Sequence, residues 1–139
     1  MKRVILADTG PLVAYLDRSD HHHAWAADCM NRFFEPLLTC DAVLAECVFL
    51  LQRGGLSPGP LLQLVKRGLI RVEFDNNRET GAVEALMARY RNLPMSFADA
   101  CLVRLSEIHE DSTVWTIDSH FGIFRRHRRN VIPRLSPDR

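Results

Sequence analysis

The chain has 139 residues and a mass of 15.9 kDa, enough for one domain with a hydrophobic core. Its 47% hydrophobic and 25% charged residues exclude a disordered polymer, and no apolar run approaches the ~18 residues of a membrane span. The net charge of +1 hides an asymmetry: residues 1–124 carry 12 basic and 16 acidic side chains, whereas residues 125–139 carry six arginines and one Asp. An acidic body with a basic tail suits a phosphate backbone or an acidic partner, although a solvated terminus reads the same way.

The opening VILA, Val4 to Ala7, is a short buried-type strand, and MKRVILADTG reads as that strand rather than as a signal peptide. Gly10-Pro11 breaks it, and LVAYL suits a short helix. Asp17 to His23 is polar and reads as a loop. Residues 24–34 follow as a helix with Trp25, Cys29 and Phe33 four apart. After Pro36, Leu37–Thr39 is a short strand. Residues 41–53 form a strongly apolar helix closed by Gly54-Gly55. A short helix ends at Gly68, LIRVEF over 69–74 is a strand, and residues 79–91 have helical spacing. Ser96 to His109 is a helix with a Ser-x-x-Asp start. TVWTI, 113–117, is a strand ended by Asp118, residues 121–124 form a turn or short helix, and 130–133 form a last edge strand. Short strands alternating with helices predict an α/β three-layer sandwich with a mainly parallel sheet, and residues 1–139 show no linker that divides them.

The four cysteines, Cys29, Cys40, Cys47 and Cys101, form no CxxC pair and sit among apolar residues. They read as reduced core residues of a cytoplasmic protein, with zinc disfavoured by the spacing. His21-His22-His23 cannot all reach one ion from regular structure and reads as a loop or rim. His109 and His127 read as surface. No Ser or Cys nucleophile signature is present.

Four acidic residues stand out. Asp8 and Asp118 each follow a strand directly, where parallel sheets place their ligands. Each could equally cap a turn or helix. Glu46 has Ala42, Val43, Phe49 and Leu50 as its helical neighbours, so burial is expected to cost it dearly unless it meets a base or a cation. Asp99 stands at the third helical position, where it can close a capping box with Ser96. Four carboxylates in one cleft would repel one another, and hard-oxygen-loving Mg²⁺ or Mn²⁺ would relieve the repulsion.

ILADTGPLVAYLD, SDHHHAWA, LLTCDAVLAECVFLLQR, LPMSFADACLVRL and TVWTIDSHFGIFR, in this order over essentially the whole chain, resemble the PIN-domain nucleases. The similarity is to the VapC-like toxin ribonucleases of bacterial toxin–antitoxin pairs. The resemblance implies Mg²⁺- or Mn²⁺-dependent hydrolysis of RNA phosphodiester bonds. Asp8, Asp99 and Asp118 would hold metal directly or through water, with Glu46 completing the cluster. Thr9 and Ser96, and more weakly Thr116 and Ser119, would position carboxylates or water. His120 could touch phosphate, and Arg125, Arg126, Arg128 and Arg129 could guide RNA or bind protein. The resemblance further implies a small antitoxin that covers the site and carries any operator-DNA binding. It also implies a homodimer, for whose contacts Leu12, Trp25, Phe33 and Phe34 are candidates that core packing explains equally well. A non-catalytic binding module that keeps the acidic cluster, and a DNA-directed or structure-specific nuclease, remain open alternatives.

Overall fold

The computed structural model describes residues 3–137. Five strands form one parallel sheet: β1 (Val4–Ala7), β2 (Leu37–Thr39), β3 (Ile70–Val72), β4 (Ser112–Trp115) and, at the far edge, a strand at Arg134–Leu135. Their order is β3-β2-β1-β4 and then that edge strand, with every neighbouring pair parallel. Six helices flank the sheet: α1 (Thr9–Leu16), α2 (His23–Arg32), α3 (Asp41–Arg53), α4 (Gly59–Lys66), α5 (Asn76–Arg89) and α6 (Phe97–Ile108). This is the α/β/α sandwich with a parallel sheet that the strand–helix alternation predicts.

The central strands are short and buried because both faces of the sheet are covered. Leu6, Val114, Trp115, Leu37 and Ile70 are all essentially inaccessible, and α6 lays Cys101, Leu102 and Leu105 into the same core. α1 packs on α2 and α3, while α5 packs on α6. All four cysteines are free and buried. Among the described residues no helix is long and apolar enough to cross a membrane.

Helix limits follow local chemistry. α1 starts at Thr9, earlier than Gly10-Pro11 suggested, because Asp8 caps it and Pro11 falls in the first turn, where a missing N–H costs nothing. α5 starts at Asn76 rather than 79, capped by Asp75, which accepts from Arg78 N. α3 and α4 end alike. Gly55 and Gly68 both take φ of +78°, Leu56 N bonds Leu51 O at 2.8 Å, and Leu69 N bonds Leu64 O at 2.9 Å. A left-handed glycine lets the chain double back and satisfy carbonyls of the last turn.

The expected edge strand at 130–133 is displaced. Asn130–Val131 (β6) instead pairs antiparallel with Arg125–Arg126 (β5), forming a hairpin outside the main sheet. Ile132 is buried after it, Pro133 offers only its carbonyl to Val114 N, and the parallel edge strand becomes Arg134–Leu135, hereafter β7. A local turn closes Arg125 onto Val131 at little entropic cost, and this decides the pairing.

The apolar candidates for contacts between copies are mostly consumed inside. Leu12 is fully buried, and Trp25 and Phe33 pack against Trp115 with ring centroids 6.0 and 5.2 Å apart. Phe34 alone of the four is open, at 98% exposure.

Gly68→Ala, which adds a methyl into open space but leaves it at positive φ, is expected to lower stability by about 1 kcal/mol. Thermal denaturation followed by circular dichroism should show a Tm about 3–6 °C lower. An unchanged Tm would show that the turn does not need its left-handed residue.

Candidate active site

The site begins with the register of the two central strands. Ala7 pairs with Trp115, so Asp8 and Thr116, the next residues of β1 and β4, emerge level with each other at the carboxyl end of the sheet. Asp8 N bonds Trp115 O at 3.0 Å. The Asp8 carboxylate is only 6% exposed and uses both oxygens: Oδ1 accepts from Thr9 N at 2.8 Å, and Oδ2 from the Thr116 hydroxyl at 2.7 Å. That hydroxyl in turn accepts from Asp118 N at 2.9 Å, so one buried threonine joins the first and last acidic residues.

Asp118 caps a 3-10 turn at Ser119–Gly122. Its Oδ1 accepts from His120 N at 2.8 Å and lies 2.7 Å from His120 Nδ1. Asp99 forms the expected capping box with Ser96: Ser96 N donates to Asp99 Oδ2 at 2.9 Å, and Asp99 N to Ser96 Oγ at 3.0 Å. Capping leaves Asp99 at the start of α6, on the element that packs against β1 and β4.

Glu46 is tied to the group through Thr9, whose hydroxyl donates to Glu46 Oε2 at 2.8 Å. Its expected burial is not found. Glu46 is exposed: of its apolar helical neighbours Val43 is fully buried, but Phe49 and Leu50, on the next turn, are 62% and 38% exposed. The apolar spacing that suggested a buried carboxylate is covered on one side only.

The carboxylates act on one another. Burial pushes Asp8 from 3.8 up to about 6, opposed by its bonds to Thr116 and Thr9 and reinforced by the charges of Asp99 and Asp118. Asp99 is also raised, chiefly by burial, with Asp118 and Glu46 adding repulsion. Cys47, behind Thr9, is pushed up to about 12 by burial and by Asp8 and Glu46, so it stays a thiol and donates weakly to Thr9 O. Among the described residues no Lys or Arg forms an ion pair with any of the four.

This donor set fits a hard divalent cation. It offers carboxylate oxygens and hydroxyls, no Lys or Arg among the described residues pairs with its acids, and its mutual repulsion would be relieved by positive charge. Among the described residues no three His, Cys, Asp or Glu side chains close on an ion by themselves. A bound cation would therefore keep much of its water, as Mg²⁺ does.

The other expected participants divide. Thr9, Ser96 and Thr116 each bond a carboxylate, with Thr116, the weaker sequence candidate, the most central. Its signal was available: it follows β4 as Asp8 follows β1. The Ser119 side chain is exposed and makes no hydrogen bond to a carboxylate among the described residues. His23 opens α2 with its Nδ1 2.8 Å from Ala14 O, and His22 packs edge-on to Trp25, so the histidine run braces α1 and α2.

Arg125 and Arg126 are spent on structure. Arg125 Nη1 donates to the carbonyls of Gly122, Ile123 and Phe124, and Arg126 Nη1 to those of Ser106 and Glu110. Between them and β6, His127 and Arg128 take φ of +51° and +69°, at a cost on the order of 1 kcal/mol each for residues with a Cβ. The turn is clamped from outside: His127 N donates to Glu107 Oε2 at 2.7 Å, His127 Nε2 lies 2.9 Å from Glu110 Oε1, and Arg89 Nη2 donates to Arg128 O at 2.6 Å. Arg128 and Arg129 are exposed, and their side chains have no hydrogen-bond or ion-pair partner among the described residues. Arg89 is the residue that sequence reading missed. It lies far along the chain from the arginine run, and only folding brings it to the turn.

The PIN-domain model matches residues 5–127, and the chain belongs to the PIN-domain family. It is 25% identical over 124 residues to Ribonuclease VapC26 of Mycobacterium tuberculosis, covering 87% of this chain and 92% of that one. Its fold matches the crystal structure of M. tuberculosis VapC20, described as a sarcin-ricin loop cleaving toxin, with a TM-score of 0.76 and 22% identity. That match covers 90% of this chain and 99% of the other.

The raised pKa of Asp8 fixes a pH dependence. Asp8 ionises less readily in the folded than in the unfolded chain. Its contribution to stability is therefore fully present below about pH 4 and is lost as pH rises through about 6. Asp8→Asn removes this loss. In chelator its stability relative to wild type is expected to rise by up to about 3 kcal/mol between about pH 4 and pH 7, on top of a constant loss because Asn accepts at only one of the two positions. Paired thermal melts across that range test it, and a pH-independent difference would contradict it.

Proposed function

We propose that this protein is a Mg²⁺- or Mn²⁺-dependent endoribonuclease of the VapC type, the toxin of a toxin–antitoxin pair, acting in the cytoplasm. The carrying observation is the coupling of Asp8, Asp99, Asp118 and Glu46 at the carboxyl end of a PIN-family sheet, with no Lys or Arg among the described residues paired to them. The similarity to a mycobacterial VapC ribonuclease points to RNA as the substrate.

Asp8, Asp99 and Asp118, with Glu46 at the rim, would hold the cation. Bound there, a divalent ion supplies Lewis acidity toward the phosphodiester and its attacking water. The rest of the chemistry is positioning. Thr116 and Thr9 N fix both oxygens of Asp8, so the carboxylate cannot rotate away. Ser96 holds Asp99 at the start of α6, and the Thr9 hydroxyl turns Glu46 toward the cluster. His120, bonded to Asp118 through Nδ1, keeps its other ring nitrogen for a phosphate oxygen or a water. Attack by water does not use the 2′-hydroxyl, so discrimination between RNA and DNA must come from binding.

A small antitoxin is the expected partner. It would cover the carboxylates, and operator DNA would be reached through it alone. Pairing of two copies would use exposed apolar residues such as Phe34 rather than the buried Leu12.

With purified protein and total cellular RNA, wild type plus Mg²⁺ or Mn²⁺ should yield discrete cleavage products. Asp99→Asn should lower the rate by at least about 10²-fold while keeping its circular dichroism. Divalent ion should raise the Tm of wild type and not of Asp99→Asn. Equal cleavage by both proteins would overturn the assignment. Preference for DNA over RNA would make it a DNA-directed nuclease, and absence of saturable ion binding a non-catalytic module.

A further inference from the structure

The carboxylate cluster repels the very polyanion it is proposed to cleave, so the attraction that holds RNA must lie elsewhere on the protein. A cavity of about 650 Å³ opens between α5 and the β5–β6 turn, lined by Arg89, Arg128, Arg129 and Glu107 over an apolar floor that includes Ala82 and Leu86. Its volume lies within the ~300–1,000 Å³ common for ligand sites. Its charge is not cancelled from within. Glu107 is the one acid in the lining, and it already accepts from Arg104 with Oε1 and from His127 N with Oε2. The Arg128 and Arg129 guanidinium groups carry no partner among the described residues.

The backbone adds a second indication. Arg128 holds a left-handed conformation that glycine would adopt freely, and three side chains, Arg89 of α5, Glu107 of α6 and Glu110 of the loop after it, keep the turn there. A position that breaks a local rule with no structural gain from its side chain marks a functional demand on that side chain. Behind the cavity the aromatic core holds Arg89 in place: its guanidinium lies 5.7 Å from the Tyr90 ring, and buried Tyr90 meets the fully buried Phe124 at 5.2 Å.

We propose that the cavity rimmed by Arg89, Arg128 and Arg129 is a binding site for the phosphate backbone of RNA, separate from the carboxylate cluster. This rests on the reading of the chain as an RNA-directed protein. Guanidinium forks match phosphate oxygens bidentately, and the apolar floor accepts a sugar.

The test is binding of a labelled, roughly 20-nucleotide single-stranded oligouridine, followed by fluorescence anisotropy in EDTA so that no cleavage is required. R128Q/R129Q should weaken binding about tenfold and reduce the salt slope of log K by about 1.4, the loss of two phosphate contacts on a single strand. Arg128→Gly, which suits the turn, should keep or raise the Tm and still weaken binding. A purely structural role would not produce that split. Two exposed arginines elsewhere, changed as R67Q/R78Q, should have a smaller effect. Unchanged RNA affinity in R128Q/R129Q, or equal weakening by the control pair, overturns the proposal. An oligo-glutamate peptide that competes as well as RNA overturns it in favour of an acidic protein partner. Binding in EDTA is independent of cleavage, so the two readings fail separately. Arginine-dependent binding without cleavage leaves this site standing, and cleavage without arginine dependence leaves the nuclease standing.

Discussion

A carboxylate almost cut off from water needs donors it can reach without moving, and the pairing of β1 with β4 supplies them. Ala7 opposite Trp115 puts Asp8 beside Thr116 at the point where both strands end. A slip of one residue would turn Thr116 away and leave Asp8 buried with a single donor. The register is fixed by apolar residues on both strands that are buried on both faces, so the hydrophobic core sets the geometry of the site. Repulsion among the carboxylates is the cost of assembling it, and a cation is the natural counterweight.

The same pairing organises what surrounds Asp8. Thr9 follows it into α1 and reaches across to Glu46 on α3, so that contact depends on α1 and α3 being packed together. Asp118 is held from β4 by the hydroxyl that serves Asp8. Asp99 arrives independently, on a helix whose first turn is closed by Ser96. Three of the four acids thus reach the cluster through a hydroxyl neighbour, which restrains them without neutralising them. That leaves their charge available to a metal.

Much of this was legible in the sequence, because strand-end acids and a capping box are local features. Val4–Ala7 and Leu37–Thr39 are apolar runs with clear breaks after them, and the Ser96–Asp99 spacing dictates its own hydrogen bonds. The environment of Glu46 was not legible. Apolar neighbours on a helix show which face is greasy, and only the packing shows whether anything covers it. The end of the chain misled for a similar reason. Asn130 to Pro133 has the composition of an edge strand, but Arg125 and Arg126 lay close enough to claim Asn130 and Val131 first. The cavity lining was invisible for a third reason, since Arg89 and Arg128 meet only after α5 has packed on α6.

The β5–β6 hairpin is fastened mainly through carbonyl oxygens and backbone N–H groups: those of Ser106 and Glu110 receive Arg126, Arg128 O receives Arg89, and His127 N reaches Glu107. Such bonds are indifferent to most of the side chains displayed at the tip. The turn therefore behaves as a socket whose outward residues can be exchanged while the fold beneath stays the same. Related chains built on this sheet could diversify their surface there by substitution alone, without inserting a loop or disturbing the carboxylates.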